Sequence, residues 1–531
     1  MKASLKLLAL AVLAAAAPLR AAGPLPPIQT VAIGENREIR VNGEPFFPIM
    51  SWAQSNSRYA LLGSLGFNTF TGGGGAAAEN LALAQAAGGY VVTDFDSSAI
   101  GHPALLAWIQ GDEPDLLASK HDITLEAPGM PEHNLKRLGN VFDGDAESRG
   151  YFDPLDGLAV TATWTAAKTV TKFRINQAND EGGALVQIRT LELLADGRPV
   201  ATATLEKRTG WQEIPLPAPA TFTSLTLRVK AIHPGEGTEC YVQELEGLDA
   251  AGANVLAAPV RREPRITPEQ LMEGYQRIRK ADTTRPVFVT FTSAFMKTDD
   301  RDGQFASWYP RYMEGTDVAG FDIYPIYGWN KPEWITRVAE GTGELAALAG
   351  RRPVYAWIET SKGSRWITYS RQVDVEPRHT RAEVWMAIIR GATAIGYFTH
   401  AWRPEFTEFA PNEAMRAELK RLNGQITRLA AAILAPPTRT PVAMTQTDQR
   451  PCHLKATRHD GATWIFAQNL DREQAAEATF RLERLRAGTE IEVVDENRTL
   501  TAADGTFTDR FDPLAEHIYR IRRPQRGQRQ R

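Results

Sequence analysis

The chain has 531 residues, 43% hydrophobic and 23% charged, with a formal net charge of -3. That composition excludes a disordered chain, and the small charge excludes a strong field for nucleic acid or an anionic membrane. The length exceeds what one core can fill, so about three domains are expected.

The N-terminus has the pattern of a secretory signal, assigned to residues 1–22. Lys2 and Lys6 precede an apolar run from Leu7 to Ala17, and small residues follow near Ala21 and Ala22. The run is too short to span a membrane comfortably, so the mature protein is expected in the periplasm or outside the cell. Cys240 and Cys452 fall in different predicted domains and read as two separate thiols. No zinc or catalytic-thiol spacing is present, and no cofactor is expected.

From Val31 to Pro45 the chain reads as a hairpin with Asn42-Gly43 at its turn. Strand and helix signals then alternate. Phe46–Ser51, Gly66–Phe70, Tyr90–Asp96 and Ala104–Glu113 are apolar runs bounded by Gly, Pro or polar residues, which marks buried strands. Helices are expected near Arg58–Leu65 and Ala76–Ala87. The glycine run Gly72–Gly75 lacks the Lys-Ser/Thr of a phosphate loop and reads as a strand-to-helix connection. Between Asp96 and Pro103 there is no room for a full helix.

The character changes near residue 116. Up to about residue 259, short β-runs and turns predict a β-sandwich: Thr169–Asn176, Ile188–Leu194, Pro199–Leu205, Leu225–Val229 and Tyr241–Leu248. The strand–helix rhythm resumes at Thr267-Pro-Glu-Gln, a helix start with Thr267 as N-cap and Pro268 at the first helical position. Pro286–Phe291, Val318–Pro325, Pro353–Glu359 and Ala394–His400 complete eight strands, with helices at Arg381–Gly391 and Glu413–Leu434.

The expectation is a (β/α)₈ TIM barrel from residues 30–115 and 260–436, with a jelly-roll sandwich inserted at 116–259. Pro436-Pro437 leads to a C-terminal β-sandwich at 437–523. The basic tail, 524–531, reads as a solvated, disordered end.

In such a barrel the site lies at the carboxyl ends of the strands. Those ends carry Asp94 and Asp96, Asp112 and Glu113, Asp322 and Tyr324, Glu359, and His400 with Trp402. Paired strand-end glutamates suit cleavage of a glycosidic bond, which needs one protonated carboxyl and one ionised one. Glu113 is the expected acid/base and Glu359 the expected nucleophile. Asp112 would raise the pKa of Glu113 by like-charge repulsion, and Tyr324 would hydrogen-bond the nucleophile. Trp402, Trp357 and the Trp308-Tyr309 pair would offer flat faces to sugar rings; His400 and Asp322 read as further substrate contacts or wall residues. A hydrolase of another class using His400 would lack a nucleophile elbow.

The pattern resembles the clan A glycoside hydrolases, retaining (β/α)₈ enzymes. The resemblance rests on His102–Pro114 at strand four, Tyr355–Glu359 at strand seven, and Ile278–Val287 before strand five. It implies double displacement on a β-linked oligo- or polysaccharide, with carbohydrate as the partner. It also implies an Asn before the acid/base, where this chain has Asp112. The insert resembles discoidin-like, galactose-binding-like modules through Asn140–Ser148, Gly210–Leu216, Leu225–Val229 and Val242–Gly247. That resemblance implies a glycan-binding face and a structural Ca²⁺ near Asp143-Gly-Asp145. The rival reading is a non-catalytic glycan-binding protein on a barrel scaffold.

Overall fold

The structure is a computed structural model that describes residues 25–73, 75–130, 138–152, 157–177, 186–235, 240–258, 260–299, 305–446 and 451–522. The expected signal segment and the basic tail lie outside the described residues. Among those residues, no helix is long and apolar enough to cross a membrane.

Eight parallel strands close into a barrel. They are β1 (Ile49–Trp52), β2 (Thr69–Thr71), β3 (Tyr90–Thr93), β4 (Leu105–Ile109), β5 (Val287–Phe291), β6 (Val318–Asp322), β7 (Val354–Glu359) and β8 (Ala394–Phe398). Closure is made by β8 on β1, with Ile395 opposite Ile49, and by β4 on β5 across the insertion, with Trp108 opposite Val287. Nearly every strand residue is buried, because one face meets the helices and the other fills the barrel. Two glycines decide that filling. A Cβ on Gly320 would lie 2.0 Å from the Tyr355 ring, and one on Gly396 would lie 2.1 Å from the Trp357 ring. Their missing side chains leave the space these aromatics occupy.

Helices α1 (Tyr59–Ser64), α2 (Ala78–Ala86), α3 (Pro268–Ala281), α4 (Tyr309–Glu314), α5 (Arg337–Ala349), α6 (Pro377–Arg390) and α7 (Glu413–Ile433) surround the barrel. Between β3 and β4 only the turn Ser97–Ala99 is present, which is the missing helix that the short connection required. The cap of α3 forms as its sequence dictates. Thr267 Oγ1 accepts the Gln270 N–H at 3.3 Å, and Gln270 Oε1 accepts the Thr267 N–H at 2.8 Å. Two side chains then tie this passage to β4: Trp108 Nε1 donates to Asp282 at 2.9 Å, and Arg285 Nε donates to the Leu105 carbonyl at 2.6 Å.

The N-terminal hairpin gains a third strand, so that Val31–Ile33, Ile39–Val41 and Glu44–Phe46 form one antiparallel sheet. Its turn uses Asn42 and Gly43, both at positive φ (53° and 85°). Ile28, Ile39 and Val41 pack against the barrel interior and close its lower end.

The chain leaves the barrel after β4 and returns before α3 along a two-stranded ladder, Leu117–His121 against Val260–Pro264. Beyond it lies a seven-stranded antiparallel sheet. Two of its strands are far longer than the sequence suggests: Ala159–Gln177 has 19 residues and Gly210–Ile232 has 23. Their pairing breaks between Thr163 and Lys168 and between Val170 and Lys172, and the sheet bends over one apolar core there. The polar residues at those breaks are what read as separate short strands.

A three-stranded and a five-stranded sheet make the C-terminal unit, around Ile465, Phe480, Phe511 and Tyr519. It packs on the outer helices, with Phe466 stacked on Trp385 of α6 at 5.9 Å and Thr457 bonded to Ala432 of α7 at 2.7 Å.

Candidate active site

The ladder of β4 runs one residue past the strand, to a 2.9 Å bond from Gln110 N–H to the Phe288 carbonyl. The sequence reading carried the strand on to Glu113; instead the chain turns there. Glu113 has φ +48°, the left-handed region, which costs a residue with a Cβ on the order of 1 kcal/mol. Neighbouring contacts hold it. Its N–H donates to Thr290 at 2.9 Å, and the Ile266 N–H donates to the Pro114 carbonyl at 2.9 Å. The buried Asp115 carboxylate accepts from Thr292 N–H (2.9 Å), Thr292 Oγ1 (2.8 Å) and the Tyr309 hydroxyl (2.6 Å). Asp115 thus locks the β4 end to the β5 end. Its place in the run Asp-Glu-Pro-Asp was the available signal, and the sequence reading passed over it.

This strained turn aims Glu113 at Asp322, the last residue of β6, and the two carboxyls share a hydrogen bond. Burial, then the charges of Glu113, Asp112 and Asp115, hold the Asp322 carboxyl well above the usual range. Asp112 touches the water of the cleft, yet the protein around it and the repulsion of Glu113 push it up to about 7, against the pull of Arg265. Arg265 bridges the pair, its guanidinium 3.9 Å from Glu113 and 3.2 Å from the Asp112 carbonyl. The phenol of Tyr324 is raised by burial and then by Asp322, Asp112 and Glu113, so it faces the same acids.

Asp112, Glu113, Asp322 and Tyr324 line one cleft of about 1050 Å³, together with Trp52, Trp357, Trp366, Trp402 and Trp329. Trp357 is 2% exposed and offers only an edge, packed across Trp52 at 5.1 Å with its Nε1 on Thr290 at 3.2 Å. Trp366 (43%), Trp402 (40%) and Trp329 (39%) present open faces. Trp366 and Trp329 went unnoticed in sequence, because a tryptophan in a polar loop carries no periodicity.

Glu359 is not on this lining. Its carboxylate is fully buried and accepts the N–H groups of Ile326 (2.9 Å) and Tyr327 (2.6 Å), from the loop after β6, beside Glu383 of α6. The sequence expectation has this carboxylate facing the substrate as nucleophile; the structure buries it off the cleft lining. Tyr324 lines the cleft with Glu113 and Asp322; the N–H donors on Glu359 come from the backbone. His400 is also off the lining. It is buried against Phe406 at 5.9 Å, and burial lowers its pKa. Tyr309 is a core residue bonded to Asp115, and Trp308 packs on Phe305 at 5.1 Å, so this pair is no sugar platform. Asp96 caps the Ser97–Ala99 turn through the Ser98 N–H at 2.9 Å, and neither it nor Asp94 lines the cleft.

No family model matches the chain, and no curated protein matches its sequence. Solved structures resemble parts of it. An Anoxybacillus α-amylase matches with TM-score 0.34 and 10% identity over 49% of this chain and 57% of its own. A GH30 endoxylanase from Clostridium papyrosolvens matches with TM-score 0.29 and 13% identity over 48% and 61%. The family 32 carbohydrate-binding module of C. perfringens NanJ, in complex with galactose, matches with TM-score 0.20 and 13% identity over 24% and 96%. The chain spans less than two thirds of the length of either enzyme. At these scores the likenesses are findings only; the architecture rests on the strand pairing above.

The buried Glu359–Glu383 pair makes stability depend on pH. Burial pushes Glu359 up to about 7, so the folded state holds its proton more tightly than the unfolded chain does. That contribution is complete below the unfolded value of about 4.3 and is lost as pH rises through about 7. We expect the melting temperature to fall between pH 5 and pH 8. In Glu383→Gln, where an amide replaces one acid, it should fall by roughly 3–6 °C less. Identical pH profiles for the two proteins would contradict this reading.

Proposed function

We propose that this protein is a glycoside hydrolase that cleaves an oligo- or polysaccharide with Glu113 and Asp322 as its two carboxyl groups. The observation that carries the reading is their shared hydrogen bond inside an aromatic-lined cleft. Two like charges at hydrogen-bond distance do not both ionise near neutral pH, so the pair holds one proton and one charge, which is what glycosidic cleavage requires.

Burial favours the proton on Asp322, and the Arg265 guanidinium favours the charge on Glu113. Asp322 is then the acid that protonates the leaving oxygen. Glu113 is the nucleophile, the reverse of the role its position at strand four implied. Carboxyls in contact are closer than the about 5–5.5 Å of a retaining pair, so the two must part around the bound glycosidic bond for double displacement with retention. The open faces of Trp366 and Trp402 suit stacking of sugar rings. The N-terminal signal pattern is consistent with export to where such polymers are met.

Two variants test the chemistry on a panel of aryl glycosides and polysaccharides. Glu113→Gln and Asp322→Asn should each lower kcat/KM on glycans by about 10²-fold or more, with unchanged melting temperature. Asp322→Asn should lose least on aryl glycosides with acidic phenols, which need no protonation; Glu113→Gln should lose equally on all. Glu359→Gln should stay within about tenfold of the parent. Full activity in either cleft variant would remove the assignment, and binding without turnover by the parent would leave a glycan-binding barrel.

For the insert we propose a structural Ca²⁺. Its Asp143 and Glu244 carboxyls hydrogen-bond each other, and burial followed by Asp143 pushes Glu244 up to about 9. The Oδ1 of Asn140 is buried close by in sequence with no protein partner. Among the described residues, no three His, Cys, Asp or Glu side chains gather as a metal site, so amide and carbonyl oxygens would complete the shell. Ca²⁺ at neutral pH should raise the melting temperature by several degrees, and Glu244→Gln should abolish that rise; no rise in the parent would contradict the proposal.

A further inference from the structure

We infer that the cleft holds an internal stretch of a polysaccharide chain, and that an exposed aromatic shelf, Trp402 with Phe406, carries the chain on beyond the cleft mouth. The inference rests on the hydrolase reading above and deepens it: the substrate is a polymer gripped along its length, and cleavage is internal rather than from a chain end.

Barrel closure sets the direction of the cleft. The strands follow one another around the ring as β5, β6, β7, β8, β1, β2, β3 and β4, so β4 and β8 stand opposite each other with β6 midway between them. The lining includes Trp402 from the loop after β8, and Arg149 and Tyr241 from the insert after β4. The cleft therefore crosses the full mouth of the barrel. Asp322, at the end of β6, places the acid pair between its two ends. A cleft of about 1050 Å³ exceeds the ~300–1,000 Å³ that encloses a drug-sized ligand, so a single sugar ring would fill only a part of it.

At the β8 end the aromatic surface does not stop with the lining. Phe406 is off that lining and 54% exposed. Its ring lies 4.9 Å from Trp402, with 40° between the planes. Trp402 in turn shares the Arg365 guanidinium with Trp366, at 5.3 and 6.0 Å. Three open rings thus form a strip that leads from the cleft outward. One exposed apolar side chain is ordinary, whereas a contiguous exposed patch marks a binding surface. Continuity with the cleft names the occupant, because a chain leaving the acids at this end passes over the strip. A small glycan bound at the acids would leave it bare.

The shelf is fixed before any ligand arrives. Ala401 and Thr407 exchange backbone bonds at 3.0 and 2.8 Å, and the Trp402 N–H donates to the Gly363 carbonyl, in the loop after β7, at 2.7 Å. Gly363 has φ +128°, and a Cβ there would fall 2.4 Å from that of Ala401, so only glycine lets the two loops meet. His400 stacks on Phe406 at 5.9 Å and braces it. Rings held this way stack on a sugar face with little loss of side-chain freedom.

The test uses a mixed-linkage glucan, a xylan, a galactomannan and a polygalacturonan, each with its oligosaccharides from dimer to hexamer. Binding is measured by calorimetry, and turnover by viscosity against reducing ends, for the parent, Phe406→Ala and Phe406→Tyr. On the polymer that is cleaved, viscosity should collapse while few reducing ends have appeared. Affinity should rise about tenfold from dimer to hexamer, as two further stacked rings would give. Phe406→Ala should cut hexamer affinity about fivefold and leave dimer affinity and melting temperature unchanged, and Phe406→Tyr should restore it. Equal affinity for dimer and hexamer, or viscosity falling in step with reducing ends, would overturn the inference while keeping the hydrolase reading. Hexamer affinity indifferent to Phe406→Ala would overturn it as well. So would a Phe406-dependent dimer in sedimentation with unaltered hexamer binding, which would assign the strip to a second copy of the chain. Length-dependent binding that Phe406→Ala weakens, without turnover, would uphold the chain site and remove the hydrolase reading.

Discussion

The hydrogen bond between the carboxyls of Glu113 and Asp322 governs what the cleft can do. It joins the ends of β4 and β6, strands separated by some two hundred residues of sequence and by only one strand in space. Barrel closure supplies the proximity, and low local polarity supplies the consequence. A pair this close in such surroundings stores one proton and exposes one charge, whichever oxygen carries it at a given instant. Arg265, which returns from the insert at the foot of its ladder, biases where that charge rests.

The insertion is therefore more than an appended module. It leaves and re-enters within a few residues of the Glu113 turn, and the two crossings hydrogen-bond each other and the turn. The left-handed backbone of Glu113 is affordable because Thr290, Ile266 and the buried Asp115 hold it in place. Strain of this kind persists only where its surroundings over-determine the conformation. The same ladder carries Arg149 and Tyr241 to the opposite wall, so the geometry of the acids and one end of the cleft share one mechanical origin.

The barrel was legible because its strands are short apolar runs and its helices carry their own start signals; the absent helix after β3 followed from a count of residues. The insert's long strands were not, since polar residues at ladder breaks look like turns. Among the acids, those at β4 and β6 could be collected from strand ends. Glu359 could not be placed that way: alternation with Trp357 argues for a cleft-facing side chain, and Glu359 is the last residue of the β7 ladder, opposite Phe398. Where β7 ends, the N–H groups of Ile326 and Tyr327 and the neighbouring Glu383 draw the carboxylate off the cleft lining. That outcome depends on how the loop after β6 folds, which no pattern within β7 encodes. The open Trp366 and the insert's Arg149 were likewise invisible, because each owes its position to a loop seated against a distant element.

The most direct measurement is a ¹³C carboxyl NMR titration of the free protein, with Glu113→Gln and Asp322→Asn for assignment. The account predicts that Asp322 stays protonated well above the ordinary carboxylate range and titrates in concert with Glu113, and that Glu113→Gln draws its midpoint downward. Independent titrations of both carboxyls near 4, untouched by substitution of the partner, would contradict it.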